Sequence, residues 1–264
     1  MKSARVCLAS LLLAGAALAT SATAGALNTT ELQVRIDSDR FDLPAPAAQE
    51  RGAPIRLWAT WYYRFTTDEN PAGLPLRDPQ GQAVSVPISP RPWCESALQG
   101  SVSIRSGHGL RRTYSFVRLG TASLLSCSDY FRLDAPWMNV AGRSRFAPAR
   151  GPYGDGAAGY VVVPYRSLAV DPEVIPLGSV VYIPAARGQW VHLPDGEWVR
   201  HDGWFFASDT GGAIRGHHVD IFTGISPWNP FPNFVSSRPE AGFTAYLPRT
   251  NKLSTQLQWQ QGLE

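Results

Sequence analysis

The sequence predicts a mostly β protein built around one barrel or sandwich. The 264 residues include 22 prolines and 24 glycines, which leave little room for long uninterrupted helices. Between these turn residues lie short runs of β-branched and aromatic side chains, among them 9 tryptophans. Many short strands separated by frequent turn signals are typical of a barrel or a sandwich. No internal repeat is found along the chain.

Residues 1–24 are predicted to be a signal peptide rather than part of the fold. Lys2 and Arg5 form a basic start, and residues 6–19 form an apolar stretch that is too short to span a bilayer. Small residues, Ala22 and Ala24, mark the cleavage site before Gly25. No later segment is apolar enough to cross a membrane. We therefore expect an exported protein, periplasmic or extracellular, that is not an integral membrane protein.

The mature chain keeps about 240 residues, enough for one large domain or two small ones. Removing two positive charges takes the formal net charge from +3 to +1, and the basic residues are dispersed, so no nucleic-acid partner is expected. Cys7 lies in the signal peptide, which leaves Cys94 and Cys127 as an even pair. In an exported chain such a pair predicts a disulfide.

The elements follow in chain order from an extended lead-in over residues 25–54. The first strand is predicted at residues 55–65, and the stretch 143–159 is predicted to be a loop. Residues 225–264 are predicted to be a C-terminal extension. Further strands are predicted at 84–88, 100–104, 113–118, 160–164, 180–183, 205–207 and 219–222, a short helix at 94–99 and a small hairpin within 189–203.

Two aspartates stand out in the stretch Phe205–Gly224. Asp209 follows a short apolar run, and Asp220 lies inside the β-prone run from Val219 to Phe222. A carboxylate within an apolar strand is costly to bury as an ion, so it either has a partner or has a raised pKa. A carboxylic acid that stays protonated near neutral pH is built in this way. The alternative is that one Asp caps the glycine-rich turn and the other faces solvent.

Three segments together carry a resemblance to a known family. Residues 169–184 contain Asp171, residues 207–216 contain Asp209 and residues 218–224 contain Asp220. The pattern resembles the 3D domain, named for three aspartates, of exported bacterial cell-wall enzymes. Its relatives include the membrane-bound lytic transglycosylase A (MltA) family and the muralytic stationary-phase survival proteins. Outside residues 169–224, the letters Ala59, Thr60 and Tyr62 also resemble the ATxY strand that opens the domain.

The resemblance implies a six-stranded double-psi β-barrel whose groove binds the glycan strands of peptidoglycan. On this basis the barrel is expected to begin with a strand at residues 55–64 and to resume at residues 160–224. Residues 65–159 would then be an insertion that contains the cysteine pair. No cofactor is implied.

The resemblance also implies a function, that of a lytic murein transglycosylase, a carbon–oxygen lyase. Such an enzyme cleaves the bond between N-acetylmuramic acid and N-acetylglucosamine without water and leaves a 1,6-anhydro ring. The family's catalytic acid and base matches Asp220, and the residue that supports it matches Asp209. Asp171 matches the first of the three aspartates, which is catalytic in some members and structural in others. Asp220, Asp209 and Asp171 are thus the candidate catalytic residues.

Five residues are candidates for contact with the glycan. Glycines in the turn between the aspartates would let a sugar approach the backbone, and residues just before the Asp motifs would line the groove. These candidates are Gly211, Gly212, Tyr165, Arg166 and Trp204.

Other chemistries leave weaker signals in the sequence. His217 and His218 are adjacent, but no further His or Glu lies at ligand spacing, so no metal site is predicted. No serine nucleophile motif is present, and the two mature cysteines are assigned to the disulfide. Two alternatives to transglycosylation stay open: a non-catalytic glycan-binding barrel, and a murein glycoside hydrolase in which Asp209 or Asp171 activates water.

Overall fold

The computed structural model describes residues 29–131, 138–248 and 251–262. The predicted signal peptide, residues 1–24, lies outside these ranges. The α-helices are α1 (Thr29–Asp37), α2 (Pro90–Gln99), α3 (Met138–Ala141) and α4 (Asn251–Gln260). The strands are β1 (Pro54–Tyr62), β2 (Phe65–Asp68), β3 (Ser101–Arg105), β4 (Arg111–Leu119), β5 (Ser144–Pro148), β6 (Ser167–Ala169), β7 (Val180–Tyr182), β8 (Trp190–His192), β9 (Trp198–Arg200), β10 (Trp204–Asp209), β11 (His218–Phe222) and β12 (Phe243–Tyr246).

Six of these strands close into a barrel in the order β1-β11-β6-β10-β7-β12. The pairs β1–β11 and β10–β6 are parallel, and the other neighbours are antiparallel. The prediction of a mostly β fold with a six-stranded double-psi barrel is therefore confirmed. No helix within the described ranges has both the length and the apolar character needed to cross a membrane.

The barrel extends further along the chain than predicted. Its sixth strand, β12, lies within the stretch 225–264, which had been assigned to an extension outside the barrel, so the predicted limit at residue 224 is wrong. β12 pairs with β1 and β7, both of which lie far from it in the sequence. The strand predicted at 160–164 is not formed, because these residues make only an isolated bridge between Asp155 and Val161.

The segment between β1 and β6 forms a second sheet, in the order β2-β3-β4-β5. The strands predicted at residues 100–104 and 113–118 are present as the antiparallel neighbours β3 and β4. Part of the stretch predicted as loop, residues 144–148, is the strand β5. Cys94 of α2 is joined to Cys127, which confirms the predicted disulfide, and both residues are buried in the apolar core of this inserted region.

The barrel core is built from alternate residues of its strands. In β1 and β11 the side chains of Leu57, Ala59, Val219 and Ile221 pack into the largest apolar cluster of the described chain. Because successive side chains of a strand point to opposite faces, the residues between them point out of the barrel. That outward face carries the candidate site.

Candidate active site

Strand alternation places Asp220 on the outside of the barrel wall. Val219 and Ile221 are fully buried in the barrel core, so Asp220 between them faces outward. β1 runs parallel to β11 with Thr60 opposite Asp220, and Thr60 therefore shares that outward face. The sequence predicted an Asp within an apolar strand, and the structure confirms that Asp220 lies within β11. Only the face of β11 that carries Val219 and Ile221 packs in the barrel core.

A β-bulge brings Asp209 to the same face. In β10, Phe205 and Ala207 pack in the barrel core, and simple alternation would send Asp209 inward after them. The register against β6 shifts between Ala207 and Asp209, which leaves Ser208 as the extra residue. Such a bulge turns the following side chain to the other face of the sheet. Asp209 then pairs in register with Ala169, the same residue that Asp220 faces from the opposite side.

Asp220 is held as a half-buried carboxyl with one hydroxyl partner. The Thr60 hydroxyl lies 2.7 Å from Asp220 Oδ1 and donates to it when the carboxyl is ionised. Burial raises the pKa of Asp220 to about 7, the nearby charge of Asp209 adds to this rise, and the hydrogen bond from Thr60 opposes it. The carboxyl is thus largely protonated below neutral pH, and its side chain stays partly exposed.

Asp209 has more hydrogen-bond donors than Asp220. Tyr62 donates from its hydroxyl to Asp209 Oδ2 at 2.8 Å, and the backbone N–H of Thr210 donates to Oδ1 at 2.8 Å. Burial raises the pKa of Asp209 to about 6, and both hydrogen bonds oppose the rise. Since these donors stabilise the ionised form, Asp209 loses its proton before Asp220 does. The two carboxyls therefore have different protonation states just below neutral pH.

The partners of both carboxyls come from a single strand. Thr60 and Tyr62 lie two residues apart on β1 and so share its outward face. Both residues belong to the ATxY motif, which resembles the opening strand of the family domain. The motif by itself predicts no role for either residue. Burial, and then the charge of Asp209, raise the pKa of Tyr62 well above its usual range, so the phenol remains a donor.

Asp171 has a different environment from the other two aspartates. Its Oδ2 accepts the backbone N–H of Gly216 at 2.7 Å, and its Oδ1 accepts that of Glu173 at 3.1 Å. These bonds, the one from Gly216 first, lower the pKa of Asp171 below its ordinary value. The ionised carboxylate ties the end of β6 to the turn before β11. This geometry favours the structural alternative for Asp171 and contradicts a role as catalytic acid.

The glycines in the turn between Asp209 and Asp220 differ in backbone conformation and in the space around them. Gly216 has a φ of +59°, in the left-handed region that favours glycine. A Cβ on Gly211 would lie 2.5 Å from the Ile214 side chain, whereas a Cβ on Gly212 would meet open space. The surface of the turn is thus open at Gly212, whose contact with a glycan stays a prediction, and Gly211 makes room for Ile214.

Three predicted groove residues are buried instead. Arg166 is 0% exposed and forms ion pairs with Asp39 and Asp202, while Trp204 is 0% exposed and donates its indole N–H to Pro44 O. Tyr165 is 2% exposed and its hydroxyl donates to His192 O. None of them can contact a glycan in this conformation, so the prediction that they line the groove is wrong. Their positions beside an Asp motif reflect strand packing.

The inserted region meets the barrel next to the carboxyl pair. Tyr63, directly after the Asp209 partner Tyr62, donates from its hydroxyl to Glu95 Oε1 at 3.2 Å. Its backbone N–H donates to Gln99 Oε1 at 3.1 Å. Both acceptors lie on α2, so this helix contacts the chain at the end of β1, directly after Tyr62. Among the described residues, no group of three or more His, Cys, Asp or Glu side chains is arranged to hold a metal ion.

A substitution in the loop that contacts the bulge tests whether the bulge sets the position of Asp209. The Ala157 N–H donates to Ser208 O at 2.8 Å, and a Cβ added to Gly156 would lie 2.3 Å from that oxygen. Gly156→Ala is therefore expected to displace the bulge and to lower any activity that depends on the two carboxyls about 10- to 100-fold, since small displacements of reacting groups have effects of this size.

The matched control is Gly107→Ala in the β3–β4 hairpin, where a Cβ would make an ordinary 3.4 Å contact with Glu69. This variant is expected to keep wild-type activity. Equal activity of both variants would show that the position of the bulge does not control the site. Circular dichroism of the two proteins checks that each is folded.

The family model of the 3D domain matches residues 166–227, so this part of the chain is a 3D domain and the resemblance seen in the sequence is confirmed. No curated protein sequence matches the chain.

Solved structures provide a second comparison. A membrane-bound lytic murein transglycosylase from Agrobacterium tumefaciens is 18% identical with a TM-score of 0.50, over 74% of this chain and 76% of that one. Escherichia coli MltA with bound chitohexaose is 17% identical with a TM-score of 0.49, over 74% and 72%. MltA from Neisseria gonorrhoeae is 15% identical with a TM-score of 0.44, over 74% and 73%. The likeness to the Agrobacterium protein shows a shared fold.

Proposed function

We propose, from the 3D domain at residues 166–227 and the carboxyl pair that it carries, that this protein is a lytic murein transglycosylase. Its substrate is the bond between N-acetylmuramic acid and N-acetylglucosamine in peptidoglycan glycan strands. Asp220 is the general acid and base, and Asp209 is its partner. The observation that carries the proposal is the pair of half-buried carboxyls on one outward face, with the pKa of Asp220 raised to about 7.

The first step uses Asp220 as an acid. Its proton passes to the glycosidic oxygen as the bond to the anomeric carbon breaks, and the oxocarbenium-like sugar that develops is positive. Because the pKa of Asp209 is about 6, Asp209 is ionised at neutral pH. Its negative charge then stabilises a positive transition state nearby. Asp209 also helps keep Asp220 protonated before the step, since like charges oppose double ionisation.

The second step uses the same group as a base. The Asp220 carboxylate accepts the proton of the sugar's own 6-hydroxyl as that oxygen attacks the anomeric carbon. This closes the 1,6-anhydro ring and returns Asp220 to its protonated form, so no water is consumed. Ordinary glycoside hydrolysis, by contrast, uses two carboxyls with separate roles at a defined separation. An acid that is reprotonated by the substrate's 6-hydroxyl suits a site in which only one of the two carboxyls is protonated.

The location of the substrate agrees with the other features of the chain. Murein lies outside the cytoplasmic membrane, and we propose that the protein is exported there by its N-terminal segment. The disulfide between Cys94 and Cys127 supports this, because such bonds persist in oxidising compartments. Gly212 and the face beside α2 are proposed to border the bound glycan.

Digestion of purified murein sacculi tests the reaction type. Mass analysis of the soluble fragments is expected to find anhydro-muramyl ends. Reducing ends in their place would mean hydrolysis and would rule out the transglycosylase mechanism. Release of no fragment, together with cosedimentation of the protein with sacculi, would identify a non-catalytic binding barrel.

The pH dependence of the rate should follow the carboxyl pair. Activity requires Asp220 protonated and Asp209 ionised, so with pKa values of about 7 and about 6 we expect a bell-shaped profile with its maximum between them. The measurement is the initial rate of sacculus solubilisation from about pH 4 to about pH 9. Both limits belong to the coupled pair rather than to either residue alone.

The Asp209→Asn variant is the control for this assignment. It removes the acidic limb of the profile, and it moves the basic limb to lower pH because the charge of Asp209 no longer raises the pKa of Asp220. A profile that is flat over the whole range, or a basic limb that does not move in this variant, would contradict the proposed division of roles.

A further inference from the structure

A third polar side chain lies on the outward face beside the catalytic pair. His218 precedes Asp220 by two residues on β11, so both side chains leave the strand on the same side. The imidazole is buried, with 8% of the residue exposed, and stacks on Trp58 with ring centroids 3.6 Å apart and planes within 6°. Its position is therefore fixed by packing, and the mechanism described above does not use it.

One hydroxyl connects His218 to Asp220. Thr60 Oγ1 lies 2.8 Å from His218 Nε2 and 2.7 Å from Asp220 Oδ1. Both distances are those of hydrogen bonds. A threonine hydroxyl has one proton, so it can donate to only one of these two neighbours at a time.

The tautomer of His218 follows from its second contact. A backbone hydrogen bond with Ala213 raises the pKa of His218, which is the effect of a bond that the ring donates, while burial lowers it overall. Because Nε2 faces Thr60, we assign the bond to Ala213 to Nδ1, and this tautomer is part of the inference. A neutral imidazole that carries its proton on Nδ1 presents a lone pair at Nε2. Thr60 thus lies between two acceptors whenever Asp220 is ionised.

The number of protons decides which state of Asp220 this arrangement favours. With Asp220 ionised, one hydroxyl proton serves two acceptors, and either the carboxylate or the Nε2 lone pair is left unpaired. With Asp220 protonated, its O–H donates to Thr60 and the Thr60 O–H donates to Nε2, so every group is satisfied. We propose that His218 is a positioning residue that favours the protonated, acid-competent form of Asp220 through the Thr60 hydroxyl.

Other charged groups around the cluster have separate partners. Asp209 from β10 faces Asp220 and is bound by Tyr62 from β1. In the turn before β11, the Arg215 guanidinium donates to the backbone carbonyls of Gly211 and Ile214, and His217 is exposed. On β6 the residue in register with Asp220 is Ala169, which does not titrate. Within the described residues, His218 is therefore the titratable group other than Asp220 that is hydrogen-bonded to Thr60.

The arrangement of His218, Thr60 and Asp220 suits a reaction in which the substrate reprotonates the catalytic acid. When Asp220 gives its proton to the glycosidic oxygen, the Thr60 hydroxyl turns from His218 to the new carboxylate. When the 6-hydroxyl proton arrives on Asp220, Thr60 turns back to Nε2. Over the cycle the cluster gives one proton to the leaving oxygen and takes one from the 6-hydroxyl, so its net proton count is unchanged, and the neutral imidazole favours this uptake. This consequence rests on the proposed transglycosylase function, whereas the coupling between His218 and Asp220 does not.

The coupling is tested by titrating Asp220 without substrate. The protein is labelled with aspartate that carries carbon-13 at the side-chain carboxyl, and the Asp220 signal is identified by its absence in Asp220→Asn. His218→Phe keeps a ring on Trp58 and removes the acceptor. We expect the apparent pKa of Asp220 to fall by about one unit, a tenfold change in proton affinity, since this is the usual size of one hydrogen bond.

Thr60→Val separates the hydroxyl-mediated effect from simple packing. In this background His218→Phe should no longer move the Asp220 titration, because the connecting hydroxyl is absent. An unchanged Asp220 titration in His218→Phe, or an equal shift in the Thr60→Val background, would overturn the proposal. If the Phe variant does not fold, His218→Gln takes its place, and it should shift the titration in the same direction because its amide can present an N–H to Thr60.

The rate profile gives a second readout. In His218→Phe the basic limb of sacculus solubilisation should move to lower pH with the Asp220 titration, so that activity lost at neutral pH returns on acidification. A uniform loss at every pH would indicate a structural role only and would overturn the proposal. If the wild type releases no fragments at all, the proposed function fails, while the carboxyl titration still decides whether His218 is coupled to Asp220.

Discussion

Asparagine at position 220 is expected to lower the rate of anhydro-muropeptide release by about 10³- to 10⁴-fold. The amide has the shape of the carboxyl, and it can still accept from Thr60, which lies 2.7 Å from the wild-type oxygen. It can neither give an acidic proton to the glycosidic oxygen nor take one from the 6-hydroxyl, so both steps lose their catalyst. The measurement is the initial rate of fragment release, with products identified by mass.

The same substitution should make the folded protein more stable at neutral and higher pH. The pKa of Asp220 is about 7 in the folded state, against 3.8 for an ordinary aspartate. Between these values the folded chain binds a proton that the unfolded chain does not, so the free energy of unfolding falls as the pH rises through this window. Asparagine never ionises, and the variant escapes this loss.

Two outcomes would contradict this account. Asp220→Asn would be no more stable than wild type above pH 7 if the carboxyl were well solvated in the folded state. Retention of more than about a tenth of the wild-type activity would mean that another group supplies the proton. The stability difference should disappear only well below the ordinary aspartate pKa of 3.8, where the residue is neutral in the folded and the unfolded chain alike.

The largest stability effect is expected at Arg166, the buried arginine between Asp39 and Asp202. Its guanidinium donates to Asp202 Oδ1 at 2.6 Å and to Asp39 Oδ1 at 2.8 Å, and it stacks over Phe41 at 4.0 Å. Removing one partner of a buried ion pair leaves an uncompensated charge, which typically costs about 3–5 kcal/mol. Arg166→Met is therefore expected to lower the free energy of unfolding by this amount, measured by denaturant unfolding.

The chain offers an exposed pair as the matched control. Arg105 donates through Nε and an amino nitrogen to both oxygens of Asp68, and the two side chains are 52% and 63% exposed. Arg105→Met should lower the free energy of unfolding much less than Arg166→Met does, since solvent screens such exposed pairs. Arg166→Lys should lie between the two, because a lysine keeps the charge without the planar fork. Equal effects at both sites would show that the buried network does not stabilise the fold.

A large part of the site was predictable because its signals are local. Asp220 was predicted to be a carboxyl with a partner or a raised pKa, since a carboxylate among Val219, Ile221 and Phe222 is visible within one short run of sequence, and its catalytic role was implied by the family resemblance. The disulfide followed from an even cysteine count, and the barrel class from strand-forming runs and turn residues. The family motif added Asp209 as partner, and it contained Thr60 and Tyr62 without revealing what they contact.

Other features depend on contacts between distant parts of the chain. Arg166 and Trp204 lie beside the motifs in sequence, yet Asp39 and Pro44, from the lead-in, bury them. The barrel also takes its last strand from residues 243–246, which pair with strands far away in sequence. The hydrophobic pattern of a segment predicts a strand, but it does not predict which other strands that strand pairs with.

The sequence by itself determined the fold class, the disulfide and the two carboxyls, because composition, alternation and motif spacing are local properties. Only the tertiary structure decided which way those carboxyls point and what holds them. Alternation along β10 would have directed Asp209 into the core, and one extra residue at Ser208 reverses it. Thr60 meets both His218 and Asp220 only because β1 and β11 pair in one register across about 160 residues, as the 158- and 160-residue separations of these contacts record.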